Sequence, residues 1–273
     1  MRWPVALALA LTACGGGRPA IPQPTSHPVR VMSVNLCTDQ LLLQLLRPDR
    51  IVSVSWVARD PGSSAMTREA SAVGVNHGLA EEVLAQRPDL VVASSFGTPT
   101  LRAMLHRLGY PLVEIDDPVD LAGLRRATRT LAAALGERAR GEALVADMDT
   151  KLAALARDPG PAIRVAAWDR SGISAASGTL QDAVLTAAGA TNVGAGKRGP
   201  ADVEALLRLR PAALVQAPRE NASLGDDRAG HPVVRALWRD RTVTLRPSSY
   251  ACGTPRIADA ALAVRAQLRQ MVR

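Results

Sequence analysis

The chain has 273 residues, of which 47% are hydrophobic and 21% are charged, and its formal net charge is +8. These proportions are those of a globular protein. The basic residues are mostly scattered arginines, so the charge indicates a solvated surface and a cleft suited to an anionic ligand, and we exclude a nucleic-acid partner.

Residues 1–13 have the features of a secretion signal. Arg2 supplies a basic start, and residues 5–11 form an apolar run too short to span a bilayer. The tetrapeptide ending at Cys14 matches the bacterial lipobox, so we predict export and lipidation of Cys14, which anchors the protein to a membrane without spanning it. A plain signal peptide with an incidental cysteine is the alternative. Residues 14–28, rich in Gly, Pro, Ser and Thr, form a flexible tether.

Two stretches alternate short apolar runs with amphipathic segments. In residues 29–118 we predict strands at 29–34, 51–54, 90–93 and 112–115, and helices at 38–46, 79–86 and 98–108. Residues 56–72 between them form an irregular loop. In residues 159–273 we predict strands at 163–167, 214–216 and 243–245, and helices at 180–188, 201–209, 232–238 and 255–272. This alternation implies a mainly parallel sheet in each stretch.

Residues 119–158 connect the two stretches. Apolar residues recur there at spacings of three, four and seven, which predicts an amphipathic helix over 121–157 that Gly136 and Gly141 divide into a lead-in and a longer second part. The fold class is therefore α/β, with two Rossmann-like lobes joined by one long helix. A helical connection without strand crossovers predicts small lobe movements.

An internal repeat supports two similar lobes. Each lobe contains a short helix with an early glutamate, then Arg-Pro, then a buried strand. Glu81 precedes Pro88 by seven residues, and Glu204 precedes Pro211 by the same seven.

Aromatic residues make up only 3% of the chain, and four of them come close to the carboxyl end of a predicted strand: Trp56, Phe96, Trp168 and Tyr250. Ligands of parallel sheets bind at that edge. We therefore predict an aromatic-lined cleft for a large flat or ring-containing ligand, with Trp56 and Trp168 facing each other across it. Arg59, Arg170 and Arg256 lie on the same edge and can bind carboxylates or phosphates. Each of these residues taken alone also fits a core aromatic or a surface arginine.

Several segments resemble the helical-backbone (class III) periplasmic substrate-binding proteins of ABC importers, in the iron-siderophore, haem and cobalamin group. The resemblance lies in the lipobox and four segments: 30–35 before a leucine-rich helix, 51–55, Arg87-Pro88-Asp89 before Leu-Val-Val, and Thr254-Pro255-Arg256. It covers about residues 29–273. It implies a monomeric, lipid-anchored periplasmic protein that captures a corrinoid such as cobalamin, a ferric siderophore or haem between two lobes and delivers it to the permease dimer.

The resemblance also assigns a partner contact. In that family one glutamate on each lobe docks to arginines of the permease, and the matching positions here are Glu81 and Glu204. Two carboxylates on two lobes make a two-point contact that fixes orientation. The alternative is that each glutamate only stabilises the start of its helix.

Two cysteines remain after lipidation of Cys14. Cys37 follows the first strand and Cys252 precedes the last helix, so both are expected at the ligand edge of opposite lobes. Export favours a disulfide across the cleft mouth, which needs Cα atoms within about 7 Å. Such a bond closes a loop of more than 200 residues and stabilises the fold by roughly 4–5 kcal/mol. A thiol pair that contacts ligand or metal, or unpaired burial, remains open.

Other functions have weaker support. The four histidines lack ligand spacing, which argues against a bare-metal binder and against a metal site, although His77 or Tyr250 would serve as an axial haem ligand. No Gly-x-Ser-x-Gly, P-loop or Rossmann glycine pattern occurs, so we expect neither an enzyme nor a resident cofactor. A thiol-dependent enzyme using Cys37, an envelope scaffold or chaperone, and a polycyclic lipid cargo are the alternatives.

Overall fold

The computed structural model describes residues 22–23, 25–196, 202–218 and 229–272. The signal sequence, Cys14 and most of the tether lie outside the described residues, and the statements about them remain predictions. Pro28 is packed against the first lobe: it is buried, and Arg50 donates from Nε and Nη2 to its carbonyl at 3.1 and 2.6 Å. In the part of the chain described, no helix is long and apolar enough to cross a membrane.

The first lobe is a five-stranded parallel sheet covered on both faces. Its strands are β1 (Val31–Ser33), β2 (Ile51–Ser55), β3 (Gly74–Asn76), β4 (Leu90–Ser94) and β5 (Leu112–Ile115). Its helices are α1 (Leu36–Leu45), α2 (Thr67–Ala70), α3 (Ala80–Gln86) and α4 (Pro99–Leu108). The strand order β3-β2-β1-β4-β5 makes β1 central. Helix α1 packs on one face of the sheet, and α3 and α4 pack on the other.

The sequence prediction misses two of these elements, β3 and α2. Strand β3 is a three-residue edge strand, too short to show an alternating pattern. It begins at Gly74, where a Cβ would collide with the backbone carbonyl of Val52 on β2. The glycine therefore permits the close pairing of β2 and β3, although in the sequence it resembles a turn residue.

The second lobe repeats the plan. Its strands are β6 (Arg164–Asp169), β7 (Gly172–Ile173), β8 (Thr191–Asn192), β9 (Ala213–Gln216) and β10 (Thr242–Thr244). The helices described in this lobe are α7 (Leu180–Ala187), α8 (Val203–Leu209), α9 (Pro232–Trp238) and α10 (Ile257–Gln270). The strand order is β10-β9-β6-β7, with β8 also paired to β6. Only β7 is antiparallel among the described pairings of this sheet.

A helical hairpin connects the lobes, rather than one continuous helix. Its arms are α5 (Leu121–Ala134) and α6 (Arg138–Arg157). The ion pairs between them show that they run antiparallel: Arg125 pairs with Asp149, and Arg129, further along α5, pairs with Glu142, which comes earlier in α6. Helix α6 crosses between the lobes, since Leu144 packs on the first lobe and Met148 and Leu155 lie in the core of the second. Among the residues that the structure describes, each sheet contains strands from one half of the chain only, which confirms a helical connection without strand crossovers there.

The internal repeat has matching geometry in both lobes. Helices α3 and α8 each end in an arginine in the left-handed region, Arg87 and Arg210, both at φ 48°. The following proline carbonyl accepts a hydrogen bond from an aromatic side chain: Tyr110 Oη to Pro88 at 2.8 Å, and Trp238 Nε1 to Pro211 at 2.9 Å. These two aromatics hold the repeated unit together.

Candidate ligand cleft between the lobes

Three neighbouring loops form the cleft edge of the first lobe. Because β1 lies between β2 and β4, the loops after these strands lie side by side at the carboxyl edge. The loop after β1 leads to Cys37, the loop after β2 carries Trp56, and the loop after β4 carries Phe96. Trp56 is 55% exposed and Phe96 is 89% exposed. Two large aromatic side chains left exposed on one edge are typical of a binding surface.

The loop that carries Phe96 is fixed although its ring is free. The backbone N–H of Phe96 donates to Ser94 Oγ at 3.0 Å, and Ser94 Oγ donates to Asp117 at 2.7 Å. Arg102 Nε donates to the Gly97 carbonyl at 2.9 Å. A ring presented on a fixed backbone loses little conformational entropy when it binds a ligand.

Cys37 and Cys252 are joined in a disulfide, with their Cα atoms 4.6 Å apart. The bond links the first turn of α1 to the segment before α10, and so links the carboxyl edges of the two sheets. The next residue, Gly253, lies so close to Pro118 that a Cβ would collide with the proline ring. Pro118 lies three residues before α5, so the segment that carries Cys252 lies close to the start of the linker. The disulfide expected from the sequence is present, and its place across the cleft mouth stays a prediction.

Trp168 does not line the cleft, and this corrects the sequence prediction. Its side chain is 1% exposed and lies in a cluster with Leu206, Leu214 and Trp238. Along β6, Val165 and Ala167 contact the core shared with the linker, whereas Ala166 and Trp168 contact the opposite face under α8 and α9. Trp168 therefore stabilises the second lobe and cannot face Trp56 across a groove.

The three arginines and the tyrosine predicted to bind ligand differ in their exposure and in their hydrogen-bond partners. Arg59 is occupied in its own lobe, because it donates to the carbonyls of Ala70 at 3.3 Å and Val73 at 2.6 Å. Arg170 and Arg256 are exposed at the edge of the second lobe. Burial, with a smaller contribution from the charge of Asp169, raises the pKa of Tyr250 to about 12, so its phenol stays protonated at neutral pH.

A buried carboxyl next to the loop that carries Trp56 is a feature that sequence analysis misses. Asp39 lies two residues after Cys37 and is fully buried; its Oδ2 accepts the backbone N–H of Ser55 at 3.1 Å and also the Ser55 hydroxyl. Its Oδ1 has no partner among the described residues. Burial raises the pKa of Asp39 to about 7, although the nearby Ser33 hydroxyl and the hydrogen bonds from Ser55 act in the opposite direction. Asp39 comes three and four positions before Leu42 and Leu43, a spacing that places it on the same face of the helix as these leucines. That spacing is the signal that would have indicated a buried carboxyl.

Asp39 should make stability depend on pH. Its carboxyl stays protonated in the folded state up to about pH 7 but ionises near its ordinary pKa of 3.8 when unfolded. We expect the free energy of unfolding to fall between about pH 4 and 7, by at most about 1.4 kcal/mol per pH unit from this group, and to level off above 7. Asp39→Asn should remove this slope in urea unfolding measured across that range. An identical slope in both proteins would contradict the assignment.

Glu81 and Glu204 occupy equivalent places on the two lobes. Each is exposed in the first turn of its helix, and within the described ranges neither carboxylate has an ion-pair partner. Two residues later Val83 and Leu206 are fully buried. An arginine at the start of the first strand of each lobe donates to the end of the equivalent helix: Arg30, just before β1, from Nη2 to Gln86 O at 2.6 Å, and Arg164, the first residue of β6, from Nη2 to Leu209 O at 2.8 Å.

Two further observations concern ligands. A separate cavity of about 270 Å³ lies beside β9, β10 and α9, and none of the residues predicted to bind ligand lines it. Within the described ranges no group of three or more His, Cys, Asp or Glu residues could hold a metal ion.

Two α/β lobes joined by a helical hairpin, with loops of both sheets meeting at their carboxyl edges, define a bilobed binding protein. A family model described as periplasmic binding protein matches residues 31–236, and the chain belongs to that family. The family is one of binding proteins that serve transport. No curated protein shows a significant sequence match.

Solved structures of similar fold bind different ligands. The periplasmic heme-binding protein RhuT from Roseiflexus sp. RS-1 is 24% identical over 91% of this chain and 100% of its own, with a TM-score of 0.73. The vitamin B12 binding protein BtuF of Vibrio cholerae is 19% identical over 90% and 98%, with a TM-score of 0.65. The molybdate-binding MolA of Haemophilus influenzae is 17% identical over 92% and 88%, with a TM-score of 0.71.

Proposed function

We propose that this protein captures a large, ring-containing anionic ligand between its lobes and delivers it to an ABC importer permease. The observation that carries the proposal is the pair of exposed aromatic side chains, Trp56 and Phe96, on adjacent loops at the carboxyl edge of the first lobe. A periplasmic location follows from the family. The lipid anchor at Cys14 is part of the proposal and rests on the sequence alone.

The chemistry of the cleft favours haem, a corrinoid or a ferric siderophore. The faces of Trp56 and Phe96 would stack on a flat ring system, and the exposed Arg170 and Arg256 would pair with its acidic substituents. The protonated phenol of Tyr250 adds a hydrogen-bond donor. RhuT and BtuF, which bind heme and vitamin B12, support a ligand of this size. The aromatic side chains would add little to binding of a small oxyanion such as the molybdate of MolA.

Charge reversal at the docking positions tests delivery separately from capture. Glu81→Arg or Glu204→Arg should lower ligand uptake by cells about tenfold or more, because each would place a positive charge against permease arginines. Ligand affinity of the purified variant should stay within about twofold of wild type, since both side chains lie outside the proposed ligand contacts. Uptake is measured in a strain that expresses only the variant.

Asp240→Arg is the matched control. Asp240 is exposed between α9 and β10, at the amino edge of the second sheet, and so lies far from the proposed docking edge. This variant should transport like wild type. Loss of ligand affinity in the Glu81 or Glu204 variants would instead assign these residues to the cleft or to the fold.

A further inference from the structure

The first turn of α1 supports both exposed aromatic loops. Asp39 in this turn binds the backbone and hydroxyl of Ser55, the residue directly before Trp56. Asn35, which caps α1, lies so close to Gly97 that a Cβ there would contact its amide. Gly97 directly follows Phe96. A displacement of this turn would therefore move both aromatic side chains.

The disulfide ties this same turn to the second lobe. Cys37 lies between Asn35 and Asp39, and its partner Cys252 is 7% exposed in the segment before α10. Apart from this bond, the linker hairpin provides the covalent path between the lobes. The hairpin is held at its bend and at its second end: Arg50 donates to the carbonyl of Leu135 and pairs with Glu137 at the bend, and Arg265 donates to carbonyls at the end of α6. The disulfide therefore adds a second covalent connection between the lobes, at the first turn of α1.

We propose that the Cys37–Cys252 disulfide is a redox control point of the ligand site. In the oxidised protein it holds the first turn of α1 against the second lobe, and through Asp39 and Asn35 it fixes the loops of Trp56 and Phe96. Cleavage loosens both loops and weakens ligand binding. The consequence for binding rests on the proposed function, whereas the loosening of the loops does not.

A dithiol reductant is the required co-reactant. One of its thiolates attacks the partly exposed Cys37 sulfur, which breaks the S–S bond and releases Cys252 as a thiolate that takes up a proton. Its second thiol then displaces Cys37 from the mixed disulfide. Two electrons and two protons pass to the protein, and the dithiol becomes a disulfide. The reverse exchange with a disulfide oxidant restores the bond, and that oxidant is reduced to a dithiol.

Hydrogen exchange and haemin titration test the proposal on the mature protein. The samples are oxidised wild type, wild type reduced with dithiothreitol, and the Cys37→Ser/Cys252→Ser protein with and without dithiothreitol. We expect amide exchange in the segments around Trp56 and Phe96 to rise on reduction about threefold or more beyond any rise in α8, which reports the general loss of stability. Haemin affinity should fall about fivefold or more. The double variant should match reduced wild type in both conditions; if it fails to fold, the reduced wild type decides alone.

The outcomes separate the two proposals. Unchanged exchange in both aromatic loops would overturn the redox control, whether or not haemin binds. Faster exchange with haemin affinity unchanged within about twofold would also overturn it, because the loops would then not govern capture. If haemin binds no form, the proposed ligand class fails for haem, and the exchange data alone decide the effect of the bond on the loops.

Discussion

Removal of the disulfide by Cys37→Ser together with Cys252→Ser should lower the free energy of unfolding by about 5 kcal/mol. The cysteines are separated by 215 residues, and closing so long a loop removes much of the entropy of the unfolded chain. Urea unfolding of the oxidised wild type and the double variant measures the difference. The double variant is preferred to a single one because it leaves no unpaired thiol.

Reduced wild type is the reference for this comparison. It should unfold like the double variant, since both lack the cross-link and differ only in two sulfur atoms. A loss below about 1 kcal/mol in both proteins would show that the bond does not constrain the unfolded state of the mature protein. A loss confined to the double variant would instead point to damage caused by serine in the partly buried site.

Replacement of Arg265 by methionine should cost about 3 kcal/mol. Arg265 is 5% exposed, and burial lowers the pKa of its guanidinium. Within the described part of the chain it donates only to backbone carbonyls at the ends of α6 and α7, namely those of Leu155, Asp158, Ala187 and Ala188. The positive charge also complements the negative ends of these two helices. Arg265→Met leaves several buried acceptors without donors, and each costs roughly 1 kcal/mol or more.

Arg269 on the same helix provides the matched control. It forms an ion pair with Asp158, but the two side chains are 45% and 64% exposed, and such surface pairs contribute about 0–1 kcal/mol. Urea unfolding of Arg265→Met and Arg269→Met should therefore differ by about 2 kcal/mol or more. Equal losses would mean that the buried arginine is not the clamp between the linker and the second lobe.

The two-lobe architecture could be predicted because the sequence contains the same pattern twice. The matched spacing from Glu81 to Pro88 and from Glu204 to Pro211 corresponds to two helices with the same left-handed end. A helical linker was also predictable from its amphipathic spacing. Its folding back into a hairpin was not, because ion pairs between its arms, such as that of Arg125 with Asp149, are tertiary contacts.

The cleft was harder to predict because sequence order does not show which face a strand residue takes. Trp168 ends an apolar run in β6 that is buried on both faces, so no alternation distinguishes the cleft side from the helix-covered side. Trp56 and Phe96 lie in loops, where this ambiguity does not arise, and they are exposed at the predicted edge. Arg59 fits the surface alternative, since its donors are taken by local carbonyls.

Titration of the mature protein with haemin, cyanocobalamin and a ferric siderophore tests the central claim most directly. We expect at least one to bind with a change in absorbance, and Trp56→Ala or Phe96→Ala to weaken that binding about tenfold or more without lowering the melting temperature, because a buried aromatic contact contributes a few kcal/mol. Leu237→Ala is the control, since Leu237 is 49% exposed on α9, away from the cleft edge, and should leave binding unchanged. Binding of none of the three ligands, or full affinity in both aromatic variants, would contradict the account.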